Sequence, residues 1–378
     1  MTKKVVKNIA LALASVIILA ILVLVGYVIY VAVQYYRIDD GTSLTTSNNQ
    51  SLIVTTGSEY SIVSYNVGFG AYSPEYTFFM DEGVMLDGTL TCGKNAKGLN
   101  KADVEKNLLG QVATLSEVNA DFCLLQEADE NSHRSYNINM VERFSQELSG
   151  YSSTYAVNFH TANLFYPFND PIGIINSGIL TLSRFNISSA VRRSFPVTTN
   201  FIDKLFDLDR CFSVHYLPVE GSSKNLVLIN VHMSAYDEGG KIRAQQLEML
   251  NSALSAEYAL GNYVIAGGDF NHCLIADHFD SDEKALSHYP TGQKIPNWVK
   301  GSILHGGELA SGFKVVASKD GAATCRGADM PYEKGVNYET VIDGFIVSDN
   351  IEVKSEETID TAYAYSDHNP VKMTFKLK

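Results

Sequence analysis

The chain has 378 residues, 46% of them hydrophobic and 19% charged, with 28 Gly and only 9 Pro. This balance excludes a disordered, collagenous or low-complexity chain and leaves room for one large α/β domain or two or three small ones. Lys plus Arg is 29 against 42 Asp plus Glu, a net charge of −13. No general basic surface remains to draw in phosphate backbones, which excludes a protein that coats nucleic acid.

Residues 1–8 carry Lys3, Lys4 and Lys7, and Ile9 to Val33 then runs for 25 residues without a charge. At about 1.5 Å rise per residue a helix over 9–33 reaches roughly 37 Å, more than the roughly 30 Å of bilayer hydrocarbon. Tyr27, Tyr30, Tyr35 and Tyr36 suit the far interface, and the three lysines predict a cytoplasmic N-terminus. The apolar stretch outruns a signal-peptide core and no A-x-A site follows it, so the reading is an uncleaved single-pass anchor in the cell membrane with the rest extracellular. Without its three N-terminal lysines the chain goes from −13 to −16. Residues 34–58, including GTSLTTSNNQSLIVTTGS, predict a polar spacer with one short extended piece at Leu52 to Val54. A single folded domain is expected over 59–378, with no internal repeat.

From Glu59 onward short apolar runs rich in β-branched residues stop abruptly at polar side chains. SIVSYN ends at Asn66, DFCLLQE at Glu127, NLVLINVH at His232 and NYVIAGGDFN at Asp269 and Asn271. TVIDGFIVS carries Asp343, and the loop Tyr365-Ser366-Asp367-His368-Asn369-Pro370 follows. Between the runs, Ala102 to Asn119 shows Val104, Leu108, Val112, Leu115 and Val118 on one helical stripe, with Asn100 and Asp103 as cap and first-turn acid. Lys241 to Leu260 repeats the pattern with Leu247, Leu250, Leu254 and Tyr258, and Gly261 as its stop. Alternating strands and helices predict an α/β fold whose polar groups gather where strands end.

Asn66 before Gly68-Phe69-Gly70, and Gly-Gly-Asp-Phe-Asn at 267–271, also read as turns, and the glycines fail as a dinucleotide fingerprint because no helix follows at once. Glu127 and Asp343 resist that explanation, because carboxylates in apolar strands need a metal, a proton or a hydrogen-bond partner. Asp269 and Asn271, two apart in an extended segment, project to one side, whereas adjacent Asp367 and His368 diverge. His133, His160, His215, His272, His278, His288 and His305 read as surface or satisfied histidines, and Asp237, Glu238 and Asp280 to Glu283 as solvated loop charges. The five cysteines have no zinc-ligand spacing and read mostly as small buried apolar residues, with one disulfide left open.

Taken in order, SYN at 64–66, LLQEAD at 124–129, NVHMSAY at 230–236, GGDFN at 267–271, VIDGFIVS at 341–348 and SDHNPV at 366–371 resemble the endonuclease/exonuclease/phosphatase family. The resemblance runs from about Glu59 to Lys378 and implies a four-layer α/β/β/α sandwich behind the N-terminal transmembrane helix. It also implies hydrolysis of a phosphodiester or phosphomonoester by direct water attack with Mg²⁺, or Mn²⁺ in its stead. Position by position, Glu127 resembles the main metal ligand, with Asn66 and Asp367 as helpers, and Asn271 a phosphate-positioning amide. His368 resembles the histidine on the scissile phosphate, with Asp343 fixing its tautomer. Asp269 resembles the group that positions or deprotonates water, and His232 the second histidine at the leaving oxygen. Arg210 lies where relatives place a substrate arginine, and equally reads as a surface arginine.

The implied substrate is a phosphate ester of DNA, a phospholipid or an inositol phosphate; no obligate protein partner is expected. Ala71 to Leu99 and the aromatic stretch Tyr155 to Ile175 read as a groove frame or as edge cover. The competing expectation is a non-catalytic surface-interaction module on the same fold. A binding module would have little reason to keep Glu127, Asp269, Asp343, Asp367 and His368 together.

Overall fold

The computed structural model describes residues 3–198, 209–235 and 240–378. Asp237 and Glu238 lie outside the described residues, as does Tyr236 of the fourth motif.

Two seven-stranded sheets pack face to face. In the first the order is Thr42–Ser43, Ser189–Ser194, Cys211–Pro218, Asn225–His232, Tyr263–Asp269, Asp343–Ser348 and Phe313–Val316. In the second it is Ile351–Thr358, Val371–Leu377, Glu59–Asn66, Phe122–Asp129, Asn176–Ser183, Ser152–His160 and Thr46–Ser47. The apolar runs show little polar alternation because both faces of each sheet are covered. In Glu59–Asn66, Tyr60 and Ile62 point between the sheets while Val63 and Tyr65 point outward at helices. In Asn225–His232, Leu226 and Leu228 point inward, and Val227, Ile229 and Val231 outward.

Helix Lys101–Val118 carries the chain between two parallel strands of the second sheet, and Lys241–Ala259 does the same in the first. Val104, Leu108 and Leu115 of one helix cover the second sheet, and Leu250 and Leu254 of the other cover the first. The Asn100 side chain accepts the Asp103 N–H as the expected N-cap, and Gly261 turns at φ +82° just past the second helix. Helix, sheet, sheet, helix is the four-layer order expected.

The stretch expected to be a spacer is incorporated into this body. Thr42–Ser43 and Thr46–Ser47 extend one edge of each sheet, and Val54 is fully buried beside Val219. Its polar composition suits edge strands, whose outer face needs no apolar side chains. All five cysteines are free; four are buried and Cys92 is exposed.

Ahead of the body, helix Lys3–Gln34 is long and apolar enough to cross a membrane, with a mean hydropathy of 3.1 over its best window. Residues 3–26 are exposed throughout, and Tyr27 is the first to be partly covered.

Gly267 and Gly268 permit the central strand to lie where it does. A Cβ at Gly268, whose φ is +152°, would sit 2.0 Å from the Val231 carbonyl oxygen of the neighbouring strand. Gly268→Ala is therefore expected to lower stability by about 2–4 kcal/mol. Thermal unfolding of the full chain in detergent reads this against Gly307→Ala, which opens into free space. An unchanged midpoint for Gly268→Ala would contradict the strand packing described.

Candidate active site

The strand registers assemble the site. His232 stands opposite Asp269 in the parallel pair, and Asp269 opposite Asp343 in the antiparallel pair, so three polar residues lie abreast across three strands. Asn66 ends its strand opposite Gln126, one residue before Glu127. The Asp367–His368 loop leads into Val371–Leu377, whose pairing with Glu59–Asn66 brings it to the same end of the sandwich. There the Ser366 hydroxyl donates to the Asn66 carbonyl at 2.7 Å.

Glu127 sits where the register with Asn176–Ser183 slips between Leu125 and Ala128, and its φ is +57°. A bulge of this kind turns one side chain out of the strand's alternation. The carboxyl group is thereby partly open, unlike Gln126 and Ala128, which are completely buried.

Asp269 is the hub. Its Oδ2 accepts the Asn66 amide at 3.0 Å and lies 3.6 Å from His232 Nε2 and 3.8 Å from His368 Nε2. Its Oδ1 accepts the Asn271 backbone N–H at 2.9 Å. The Asn66 amide also lies 3.4 Å from Glu127 Oε1, and His232 Nε2 is 3.9 Å from the same oxygen. His368 Nδ1 meets Asp343 Oδ2 at 2.8 Å, which fixes the ring and leaves Nε2 turned to the site. Asn271 donates its side-chain amide to the Met233 carbonyl at 2.9 Å. An extended segment through Asn271 is not what forms: Asn271 has φ +50°, because the Asp269 carboxylate closes an Asx turn on its N–H. Asn66 likewise makes the turn contact, accepting Gly68 N–H at 3.0 Å, and faces the carboxylates with its amide nitrogen. Both turn residues therefore also belong to the site.

Burial governs the charges. It pushes Asp269 well above the usual carboxylate range, with Asp343 adding to the rise and His368 opposing it. Asp367 is pushed up to about 6 by burial, with the Glu127 charge adding to it. Burial opposes the charged form of His368, but the Asp343 carboxylate prevails and holds it well above the ordinary histidine value. His232 is held well below that value by burial, then by the charges of Arg210, His368 and Arg134. Two imidazoles in one site thus favour opposite protonation states. Arg210 is 5% exposed, so it is no surface arginine, and its charge reaches His232.

The oxygens of Glu127 and Asp367 are of the kind a hard divalent cation takes: both residues are partly exposed, and the Glu127 charge acts on Asp367. Ligand atoms of Asp269, Asp343 and His368 also lie within 4.8 Å of one another, but all three residues are buried and two are already joined in a hydrogen bond. That hydrogen bond occupies His368 Nδ1 and Asp343 Oδ2 and leaves His368 Nε2 and Asp343 Oδ1 as the atoms an ion there would meet.

Several supporting residues escaped the sequence analysis. Asp129 holds buried Arg134 through two hydrogen bonds of 2.9 and 3.1 Å, and the guanidinium lies 3.8 Å over the Phe69 ring. Gln126 donates to Asn230 at 2.8 Å across the two sheets. Gln111 donates to the carbonyls of both Val67 and Tyr365, tying the Asn66 and Asp367 loops to one helix. The signal available was polar residues within apolar stripes, as at Asn107 and Gln111 between Val104 and Leu115. The seven histidines read as surface or satisfied include His215, bonded to Thr154 and Leu228, and His272, bonded to Phe270.

Among solved structures, an endonuclease/exonuclease/phosphatase from Beutenbergia cavernae is similar at 14% identity, with 84% of this chain and 72% of that one covered and a TM-score of 0.53. ANGEL2, described as a 2′,3′-cyclic phosphatase, is similar at 16% identity over 89% of this chain and 98% of its own, with a TM-score of 0.50. No curated protein sequence matches the chain. The family model for the Endonuclease/Exonuclease/phosphatase family matches residues 63–368, from the Asn66 strand through His368, and the chain belongs to that family.

Proposed function

We propose that the chain is a membrane-anchored phosphoesterase, its catalytic body on the outer face, that hydrolyses a phosphate ester by direct attack of water with the help of Mg²⁺ or Mn²⁺. The observation that carries this reading is the meeting of Asn66, His232, Asp269, Asp343 and His368, each from a different strand or loop, around one carboxylate. The membrane half rests on the 32-residue helix Lys3–Gln34, whose charge-free stretch follows the lysines at its start.

Glu127 and Asp367 would hold the cation, which when bound supplies positive charge beside the phosphate oxygens. Asn66, expected as a third ligand, turns its amide nitrogen to Asp269 and Glu127 and its oxygen to the Gly68 N–H, so it positions those carboxylates instead. The chain's own groups do the rest. Asp269, raised towards neutrality and fixed by Asn66 and Asn271, is suited to orient water and accept its proton. His368, protonated and aligned by Asp343, offers Nε2–H to an oxygen that gains charge in the transition state. Asn271 keeps a second amide hydrogen for a phosphate oxygen, since Met233 takes one. His232 and buried Arg210 flank the leaving side.

Incubation of the full chain in detergent with bis(4-nitrophenyl) phosphate, plasmid DNA, sphingomyelin and inositol phosphates, with Mg²⁺ or a chelator, tests the reading. Turnover of at least one ester that stops with chelator is expected. Folded protein inert to all of them would favour a binding module.

Glu127→Gln preserves volume and removes a charge, and is expected to reduce Mg²⁺-stimulated kcat at least about 100-fold with an unchanged thermal midpoint. Full retained activity would contradict the metal assignment. His368→Ala is expected to lower kcat about 10²- to 10⁴-fold and leave KM within a few-fold, the pattern of a group used in the transition state. Equal changes in both constants would make it a binding residue.

A further inference from the structure

Among the described residues, the largest exposed apolar side chains of the folded body are gathered at one tip. Phe165, Tyr166 and Phe168 are 50%, 61% and 87% exposed, on a loop between Ser152–His160 and Asn176–Ser183. Isolated exposed rings need no explanation, but three within four residues of a polar, acidic body do.

This tip lies against the end of the N-terminal helix. Tyr27 donates its hydroxyl to the Asn163 carbonyl at 3.3 Å and accepts the Phe165 N–H at 3.3 Å, and its ring meets Phe165 edge-on at 5.5 Å. Tyr30 accepts the Asn163 N–H at 3.3 Å. Residues 9–26 are free of the body and span roughly 27 Å at helical rise, close to the roughly 30 Å of bilayer hydrocarbon. A helix that crosses there brings Tyr27 and Tyr30 to the interface, the level aromatic side chains prefer. The tip is then at the same depth.

A row of ring contacts runs from the tip towards the catalytic end. Phe168 packs on Tyr166, Tyr166 on Phe79, Phe79 on Phe78 and Phe78 on Tyr72, with ring centroids 5.0 to 6.3 Å apart. Tyr72 in turn crowds Gly68, as does the Asp367 carboxylate: a Cβ at Gly68 would lie 2.7 Å from the Tyr72 ring and 2.9 Å from Asp367 Oδ1. On leaving the helix the chain is fastened again, Tyr36 stacking on His160 at 4.1 Å and Arg37 pairing with Asp209 at 2.6 Å, one residue from Arg210.

We propose that the aromatic tip 164–168 and the Tyr27–Tyr30 end of the helix form one interfacial anchor that lays the catalytic body against the bilayer, so that the phosphate ester it hydrolyses is carried by a membrane lipid. This rests on the phosphoesterase and membrane-span readings above. Because the exported body is acidic, adhesion comes from the rings and is insensitive to salt.

The test uses the full chain reconstituted in phosphatidylcholine vesicles made with and without brominated acyl chains. Phe168→Trp is compared with the parent protein, whose single Trp298 packs on the core of the first sheet and supplies the background. At least two-fold quenching of the added fluorescence by brominated lipid is expected, and it needs no turnover. An unquenched tryptophan at 168 would overturn the proposal, and would point to a protein partner for the tip. In a second arm, Phe165→Ser combined with Phe168→Ser is expected to hydrolyse bis(4-nitrophenyl) phosphate at the parent rate in detergent and to release headgroup from vesicle lipid at least ten-fold more slowly. Equal rates on vesicle lipid, or a parent that cleaves the soluble diester and no lipid, would overturn the lipid assignment. A parent inert to the soluble diester as well would overturn the phosphoesterase reading instead, and the quenching arm would still decide the docking.

Discussion

Two carboxylates face each other across adjoining strands in the middle of this site, Asp269 against Asp343, and both are almost wholly removed from solvent. Burial of like charges so close is strongly unfavourable unless donors converge on them. The protein supplies those donors from across the sandwich: His368 to Asp343, and Asn66 and the Asn271 N–H to Asp269. That requirement explains why loops more than a hundred residues apart in sequence must meet at one end of the fold. The cluster that results is held in tension, with one carboxylate raised, one histidine raised and another lowered. Perturbations in opposite directions within one cluster are what acid–base chemistry at neutral pH requires.

The two sheets act as the frame that maintains this tension. Parallel pairing on each sheet demands a crossover helix, and each helix returns to brace the site it made room for. Lys101–Val118 holds two loops through Gln111, and Lys241–Ala259 holds the segment after His232 through Gln246, which accepts the Ser234 N–H and donates to the Ser234 hydroxyl. A bulge aims Glu127, and the bare backbone of Gly267 and Gly268 lets the central strand fit closely.

Much of this was legible from residues alone. Strand ends at Asn66, His232 and Asp269, and the cap at Asn100, follow from local patterning, whereas the strand expected to stop at Glu127 runs on past a bulge to Asp129; the ordered motifs tied them to one fold. Three features were not legible, each for a physical reason. Residues 41–58 looked like a spacer because edge strands tolerate polar side chains, so composition does not distinguish them from a linker. At Asn271 the residues allowed both a turn and an extended segment, and what decides for the turn is the Asp269 side chain's capture of a backbone N–H. Arg134 went unnoticed because a buried arginine is recognised only by its partners, Asp129 and the Phe69 ring, which register and not spacing brings to it.

If these groups form a catalytic centre, the partly open oxygens of Glu127 and Asp367 hold one divalent ion. Electron paramagnetic resonance of Mn²⁺ titrated into the full chain measures that directly. The account predicts one bound ion per chain, displaced by excess Mg²⁺ and lost when Glu127 is replaced by Gln. No bound ion, or occupancy unchanged by that replacement, would contradict it.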